Sequence, residues 1–399
     1  MNYIKKGTKE FSNVAIALFA GGFDTFAILY STQPIMPNIS KEFNISPTAA
    51  SLSLSVTTIT LAVSMLLFGS LSEAWGRKLV MSFSIISASI LEILTAFVPG
   101  FHYLLIFRAL QGFVLAGLPA VAMAYIGEEI DSKSLGVTMG LYISGNSIGG
   151  MSGRIIIGTL TDFFNWRIAL LIIGIFSAAA SILFWCKLPE SRHFSACELD
   201  MGKLFKSMVD HLKNPSLLCL YAVGFLIMGS FVSLYNYIGY QLIAPPYSLS
   251  PTLVSFIFVI YIIGTFSSTW VGKLSDKHGH SNVLWVIVLV MAIGAIITLN
   301  MNLILKIVGI CIFTFGFFGG HSTISSWIGK LAFHNKAQAS SLYLLFYYIG
   351  SSIGGTSGGI FWTHYGWRGV ISMILCFLIA GILVSLHMVP LQQKSCKTA

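Results

Sequence analysis

The chain has 399 residues, of which 55% are hydrophobic and only 9% charged, and its mean hydropathy is +0.82. Soluble domains carry about 25% charged residues, so this composition excludes a single water-solvated core and makes lipid the natural solvent. The net charge of +9 would suit nucleic acid only if it were clustered, and it is spread between apolar runs.

The basic N-terminus MNYIKKGTKE leads into an apolar run with no small-residue cleavage site, so it reads as a first membrane span and not as a cleaved signal peptide. A helical span needs about 20 apolar residues. Twelve such runs follow in order, near 14–36, 48–70, 79–98, 103–126, 135–160, 168–187, 216–240, 251–271, 283–301, 304–326, 339–362 and 368–389. They are far longer than barrel strands and lack a barrel's alternation, which predicts helices. The longest polar stretch, KLPESRHFSACELDMGKLFKSMVDHLKNP, separates spans six and seven. The predicted organisation is an all-α membrane protein: a six-helix bundle over 1–187, a connector over 188–215 and a second six-helix bundle over 216–399.

An even number of spans puts both termini on one face. Seventeen lysines and arginines fall on that face, against Lys41, Arg167, Lys306 and Arg368 on the other. The positive-inside rule makes the termini cytoplasmic, so the charge is a topology signal and not a nucleic-acid footprint. The six cysteines, Cys186, Cys197, Cys219, Cys311, Cys376 and Cys396, form no CxxC and are expected to be reduced.

The two halves repeat. GSLSEAWGRKLV (69–80) follows span two and GKLSDKHGHSNV (272–283) follows span eight, with Glu73 matching Asp276. SGNSIGGMSGRI (144–155) in span five matches IGSSIGGTSGGI (349–360) in span eleven, and NWR (165–167) matches GWR (366–368). Two parallel six-span repeats are an architecture of transporters that rock two halves about a central site.

These motifs resemble those of the major facilitator superfamily. The 69–80 loop is similar to its Gly-x-Leu-x-Asp-x-x-Gly-Arg-Lys signature, and RALQG (108–112) to its Arg-x-x-Gln-Gly motif. The span-five ladder resembles the Gly-x-x-x-Gly-Pro-x-x-Gly-Gly motif of drug/proton antiporters, with Gly150 in place of the proline. YSTQPIMPNIS (30–40) resembles the end of span one in related bacterial exporters. The resemblance implies a major facilitator fold of two pseudo-symmetric bundles. It also implies a conformational latch formed by Gly69, Glu73, Gly76 and Arg77, with Asp276 in the second copy.

Charges within spans cost at least about 2.5–3.5 kcal/mol unless paired or hydrated. Four are expected: Asp24 near mid-membrane, and Glu92, Arg108 and Arg154 in the half away from the termini. The C-terminal spans are expected to hold only His321. Asp24 is the first candidate for proton coupling, with Arg108 as the cation that holds it ionised. Glu92 is either a second proton site or a static partner for an arginine. Arg108, Arg154, Tyr30, Asn236, Tyr347 and His321 are the candidate substrate-binding set. Gly145, Gly149, Gly150, Gly153, Gly354 and Gly358 are expected to pack helices, since glycines four apart allow close approach. Tyr237 and Tyr240 are placed near the outer membrane interface.

The expected function is proton-coupled export of a small organic solute, anionic or zwitterionic, by a monomer in the cytoplasmic membrane. Alternatives are a carboxylate-rich, opine-type metallophore exporter, a broad multidrug exporter, an importer, or a membrane-embedded enzyme or sensor. No nucleotide-binding loop, nucleophile–base pattern or metal cluster is present in the sequence, so no cofactor, metal or enzymatic activity is expected.

Overall fold

The computed structural model describes residues 3–194, 201–332 and 336–397. Cys197 and the rest of 195–200 lie outside the described residues, and the side chain of Cys396 is likewise not described. Cys186, Cys219, Cys311 and Cys376 are free thiols.

The membrane helices are α1 (Lys9–Leu29), α2 (Pro47–Trp75), α3 (Arg77–Thr95), α4 (Phe101–Glu129), α5 (Leu135–Phe163) and α6 (Trp166–Lys187). The second set is α7 (Pro215–Ile243), α8 (Pro251–His278), α9 (His280–Ile297) and α10 (Leu303–Leu331). A last helical stretch, Lys336–Lys397, breaks at Gly366 (φ 59°, ψ −146°) into α11 (336–365) and α12 (367–397). Among the described residues, 10 segments are long and apolar enough to span a membrane. One of these contains both α11 and α12, and the glycine-rich, arginine-bearing α5 is not among them. With the stretch divided at Gly366 and α5 included, the helices match the twelve runs of the sequence.

The boundaries differ most in span one. It was expected to reach residue 36, but α1 stops at Leu29, and a turn leads into a short helix, Met36–Glu42. Pro34 and Pro37 account for this. Proline lacks a donor and disfavours helix in the residue before it, while suiting a helix's first turn.

The repeat is visible in the backbone. Gly76 (φ 95°, ψ 147°) joins α2 to α3 and Gly279 (φ 87°, ψ 137°) joins α8 to α9. Both lie in the region that favours glycine, at matching places in the two halves.

The chain forms two compact units. One comprises Met1–Phe43, Val56–Asp200 and Ser250–Phe258; the other comprises Asn44–Ser55, Met201–Leu249 and Val259–Ala399. In the first, α5 lies directly on α1. A Cβ at Gly145, Gly149 or Gly153 would come within 2.5, 2.2 and 2.9 Å of Phe19, Phe23 and Ala27 backbone atoms. In the second unit, Gly350 and Gly354 meet Phe225 and Gly229 on α7 in the same way, and Gly358 meets the Tyr237 ring. Both helices of each seam keep a four-residue step, so the contact runs along one ridge. Gly150 is off the seam: an added Cβ there would meet the Arg154 guanidinium at 3.3 Å. Large apolar side chains such as Phe83, Ile90, Phe176, Trp185, Phe266 and Leu383 point outward, as faces solvated by lipid do.

Gly149→Ala should lower stability by about 1–3 kcal/mol, because its methyl would collide with rigid backbone. Gly140, on the same helix, has nothing within 4 Å of an added Cβ. Gly140→Ala should therefore be neutral or stabilise by at most about 1 kcal/mol. Thermal unfolding of the two variants in one detergent checks the contrast.

Candidate functional site

Asp24 sits on α1, fully buried, and turns toward α3 and α6. Ser181 donates to its Oδ2 at 2.9 Å, Ser89 lies 3.4 Å from the same oxygen, and Ser177 adds a third hydroxyl. Ser89 and Ser181 are 3.0 Å apart. Oδ1 is buried and accepts no hydrogen bond.

The expected Asp24–Arg108 pair is not formed. Arg108, fully buried on α4, is directed to the end of α1. Its Nη1 donates to Ile28 O at 3.0 Å and Ser31 Oγ at 3.2 Å, and its Nη2 donates to Leu29 O at 2.6 Å. The C-terminal carbonyls of a helix have no partner within the helix and carry partial negative charge, and a guanidinium fork supplies both donors and charge. The acid beside Arg108 is Glu92 on α3, at 3.8 Å. Gln111 bridges them, accepting from Arg108 at 2.8 Å and donating to Glu92 Oε2 at 2.6 Å. Glu92 Oε1 is buried and accepts no hydrogen bond. Gly112, next in the motif, lets α4 meet α2: a Cβ there would lie 2.2 Å from Thr57 O.

Arg154 holds the same turn from α5. Its Nε donates to Gln33 Oε1 at 2.7 Å, and Nη1 donates to Gly150 O within its own helix. The guanidinium lies between two rings, 4.0 Å from the Tyr30 centroid and 4.9 Å from that of Phe258. The YSTQP segment and the arginine of the glycine ladder are therefore parts of one cluster. Both arginines are engaged by protein groups, which removes the simplest basis for expecting a bound anion.

The loop charges pair differently from the expected latch. Glu73 is exposed and forms no ion pair among the described residues. Arg77 instead takes Glu128, at the end of α4, at 2.7 and 3.2 Å, and Ser72 Oγ at 2.6 Å. Gly69 and Gly272, the first glycines of the two loops, lie on α2 and α8. In the second copy Asp276 does pair, with Lys330 at 2.7 Å and with His280 at 3.7 Å. Base on α3 and acid on α4 in the first half become acid on α8 and base on α10 in the second.

In the second unit, His321 and Tyr347 are partly exposed, and Asn236 is buried. His321 Nδ1 lies 2.6 Å from the Tyr343 hydroxyl, and its ring lies 4.9 Å from that of Tyr347 and 6.3 Å from Phe317. Tyr237 is not at an interface; it is fully buried and donates to Gly355 O at 2.6 Å. The expectation of no buried charge other than His321 also fails. Lys306 is 1% exposed, donates to Thr298 O at 2.5 Å and lies 5.3 Å from the Trp367 ring. It closes the end of α9 much as Arg167, on Ala96 O and Val98 O, closes the end of α3.

The family model of the Major Facilitator Superfamily matches residues 14–355 and 238–395. The chain belongs to the major facilitator superfamily. It is 53% identical to the MFS-type transporter YybF of Bacillus subtilis, over 96% of this chain and 95% of that one. It is 47% identical to the inner membrane transport protein YnfM of Escherichia coli, over 96% and 92%. The multi-drug resistance efflux pump PmrA of Streptococcus pneumoniae is 28% identical, over 90% and 91%. Two solved structures share the fold. A bacterial homologue of the lysosomal transporter Spinster, inward-facing and occupied, has TM-score 0.77 at 14% identity, over 95% and 96%. A mutant of the nucleoside transporter NupG has TM-score 0.78 at 14% identity, over 94% and 100%. The chain is thus a multi-pass membrane transporter and not an enzyme.

Within this major facilitator protein, sequence reasoning found the arginines but missed Gln111 as the bridge, Glu128 as the partner of Arg77, and the serines around Asp24. RALQG itself contains Gln111, three residues after Arg108 and so on the same helical face, which is a usable signal. If the Tyr30 ring holds Arg154 by its face, Tyr30→Phe should keep stability. Tyr30→Leu should cost about 2 kcal/mol, the scale of a desolvated cation–π contact. Thermal unfolding of the purified variants distinguishes them.

Proposed function

We propose that this transporter works as a monomer in the bacterial cell membrane, with cytoplasmic termini, and exports a small organic solute in exchange for protons. The observation that carries the reading is Asp24, a fully buried carboxyl whose described hydrogen-bond partners are serines alone. Among the described residues no cation pairs with it. A carboxyl so placed is costly when charged in hydrocarbon, so its charge can follow the conformational cycle. Protonation from outside would favour one state, and release to the cytoplasm would reset it. Glu92 is the second acid of the coupling group. The orientation rests on the lysine and arginine bias between loops.

For the solute, the partly exposed His321–Tyr347 face, with Asn236 on the same unit, offers rings and a few polar groups, the usual lining of an organic-ligand site. The efflux-pump relative favours export of drug-like compounds. The anionic reading is carried by Arg108 and Arg154 only if the cycle releases them from the turn after α1. Loosening of the Asp276–Lys330 pair, and of Arg77 from Glu128, would accompany the change of state.

The test is transport by purified protein in proteoliposomes under an imposed pH gradient, with ethidium and a tricarboxylate chelator as alternative probes. Gradient-driven ethidium movement that is lost in Asp24→Asn is the expected result. Movement indifferent to the gradient in the wild type overturns proton coupling. Movement of the chelator without ethidium overturns the aromatic-face reading of the solute.

A further inference from the structure

Asp24 and Glu92 are brought near one another along one face of α3. Ser89, beside Asp24, lies three residues before Glu92 on α3, so the two occupy one helical face about one turn apart. From Glu92 a hydrogen-bonded line runs through Gln111 to Arg108, and through Arg108 to Ile28 O and Leu29 O at the end of α1. Every member is fully buried. At each acid one carboxylate oxygen is hydrogen-bonded, while the other, Asp24 Oδ1 or Glu92 Oε1, accepts nothing. Burying two acceptors in this way is costly, and a static ion-pair network would be expected to satisfy them. An oxygen left open at both acids suits groups that gain and lose a proton.

Resting on the proton-coupled reading above, we infer that Glu92 and Ser89 form a proton relay to Asp24 through the interior of the first unit, with Ser181 holding the receiving carboxyl, and that Arg108 ties the charge state of Glu92 to the end of α1. A proton arriving at Glu92 gives the neutral acid, and the attraction to Arg108 at 3.8 Å is lost. The Ser89 hydroxyl, which donates to Ile85 O at 2.8 Å and lies 3.4 Å from Asp24 Oδ2, turns to give its proton to Asp24 Oδ2 as its oxygen takes the proton from Glu92. The serine ends unchanged and one proton has moved from Glu92 to Asp24. Rotation of the Glu92 carboxyl, or one water, spans the turn between Glu92 and Ser89. Ser181, in contact with both Ser89 and Asp24, keeps the receiving carboxyl in place.

The surrounding charges fit this assignment. Glu92 on α3 is the charged group that acts on Asp24. Arg108 on α4 is turned to Glu92 and to α1, Arg154 on α5 to Gln33 and Tyr30, and Tyr142 on α5 to Asn146. The α6 groups at Asp24 are serines. In this arrangement Arg108 is a positioning residue. It reports whether Glu92 is charged by holding or releasing the carbonyls where α1 ends.

Infrared difference spectroscopy on the full-length protein in lipid resolves buried carboxyl bands and needs no identified solute. Asp24→Asn and Glu92→Gln assign the two bands, and deuterium exchange gives the rate at which each is reached. In wild type, Glu92 should exchange before Asp24, and the two should titrate as a coupled pair. Ser89→Ala with Ser181→Ala, or Glu92→Gln alone, should slow exchange at Asp24 by about a hundredfold, the scale of a lost proton-transfer group. The serine changes should leave Glu92 at its wild-type rate. Exchange at Asp24 that stays at the wild-type rate in Glu92→Gln overturns the relay. Circular dichroism melts show that each variant is folded, and Ser89→Thr, which keeps the hydroxyl, should restore the rate. Ethidium transport separates the two claims. If the wild type ignores a pH gradient, the coupling reading falls; if it responds while Asp24 exchanges normally in Glu92→Gln, only the relay falls.

Discussion

Arg108 holding the last carbonyls of α1 is the contact around which the buried polar groups of the first unit are arranged. The end of α1 is buried, which leaves carbonyls that water cannot reach, and every such group must find a protein donor. The two prolines of the YSTQPIMP segment force α1 to end early. Arg108 supplies the donors, and its own charge then requires an acid, Glu92, with Gln111 filling the geometry between them. Arg154 braces the same turn through Gln33 and the Tyr30 ring. Two costly cations are thus committed to one short piece of chain, and that piece adjoins the helix that carries Asp24.

The glycine seams serve the same arrangement. Because α5 touches α1 along backbone at Phe19, Phe23 and Ala27, α1 is fixed in rotation. Asp24 is then turned to α3 and α6, and Arg154 is brought beside Tyr30. The second unit repeats the seam between α7 and α11 without an arginine, since Gly359 stands where the first half has Arg154. Its buried charge is at the other end of the economy of the fold: Lys306 seals the end of α9 together with Trp367, both on Thr298 O. The repeat therefore preserves backbone geometry and redistributes charge, with the buried acids Asp24 and Glu92 in one half and the His321–Tyr347 aromatic surface in the other.

Much of this was legible in the sequence. Composition and run length gave the spans, and the matched loops gave the repeat that Gly76 and Gly279 show in their backbone angles. Glycine spacing pointed to both seams, except that Gly150 faces Arg154 and Gly350 was not among the expected packing glycines. Pairing was less legible, because it depends on helix rotation, which sequence period alone does not set. Asp24 and Arg108 lie on helices in one unit but turn different ways. Arg77 had Glu73 four residues away in sequence, yet it meets Glu128, 51 residues on. Lys306 read as a loop charge because it lies four residues into α10, whose N-cap is Asn302; the fold of α9 and α12 over it is what buries it.

Under the proposed relay, Arg108 keeps the end of α1 closed and the charge on Glu92 controls that hold. Hydrogen–deuterium exchange of the segment 28–35 measures it directly, with the seam segment 145–153 as internal reference. Arg108→Gln and Glu92→Gln should each raise exchange in 28–35 by about tenfold, as expected when hydrogen bonds to a charged group are lost or weakened, while 145–153 stays at its wild-type rate. Equal protection of 28–35 in all three proteins would contradict the account.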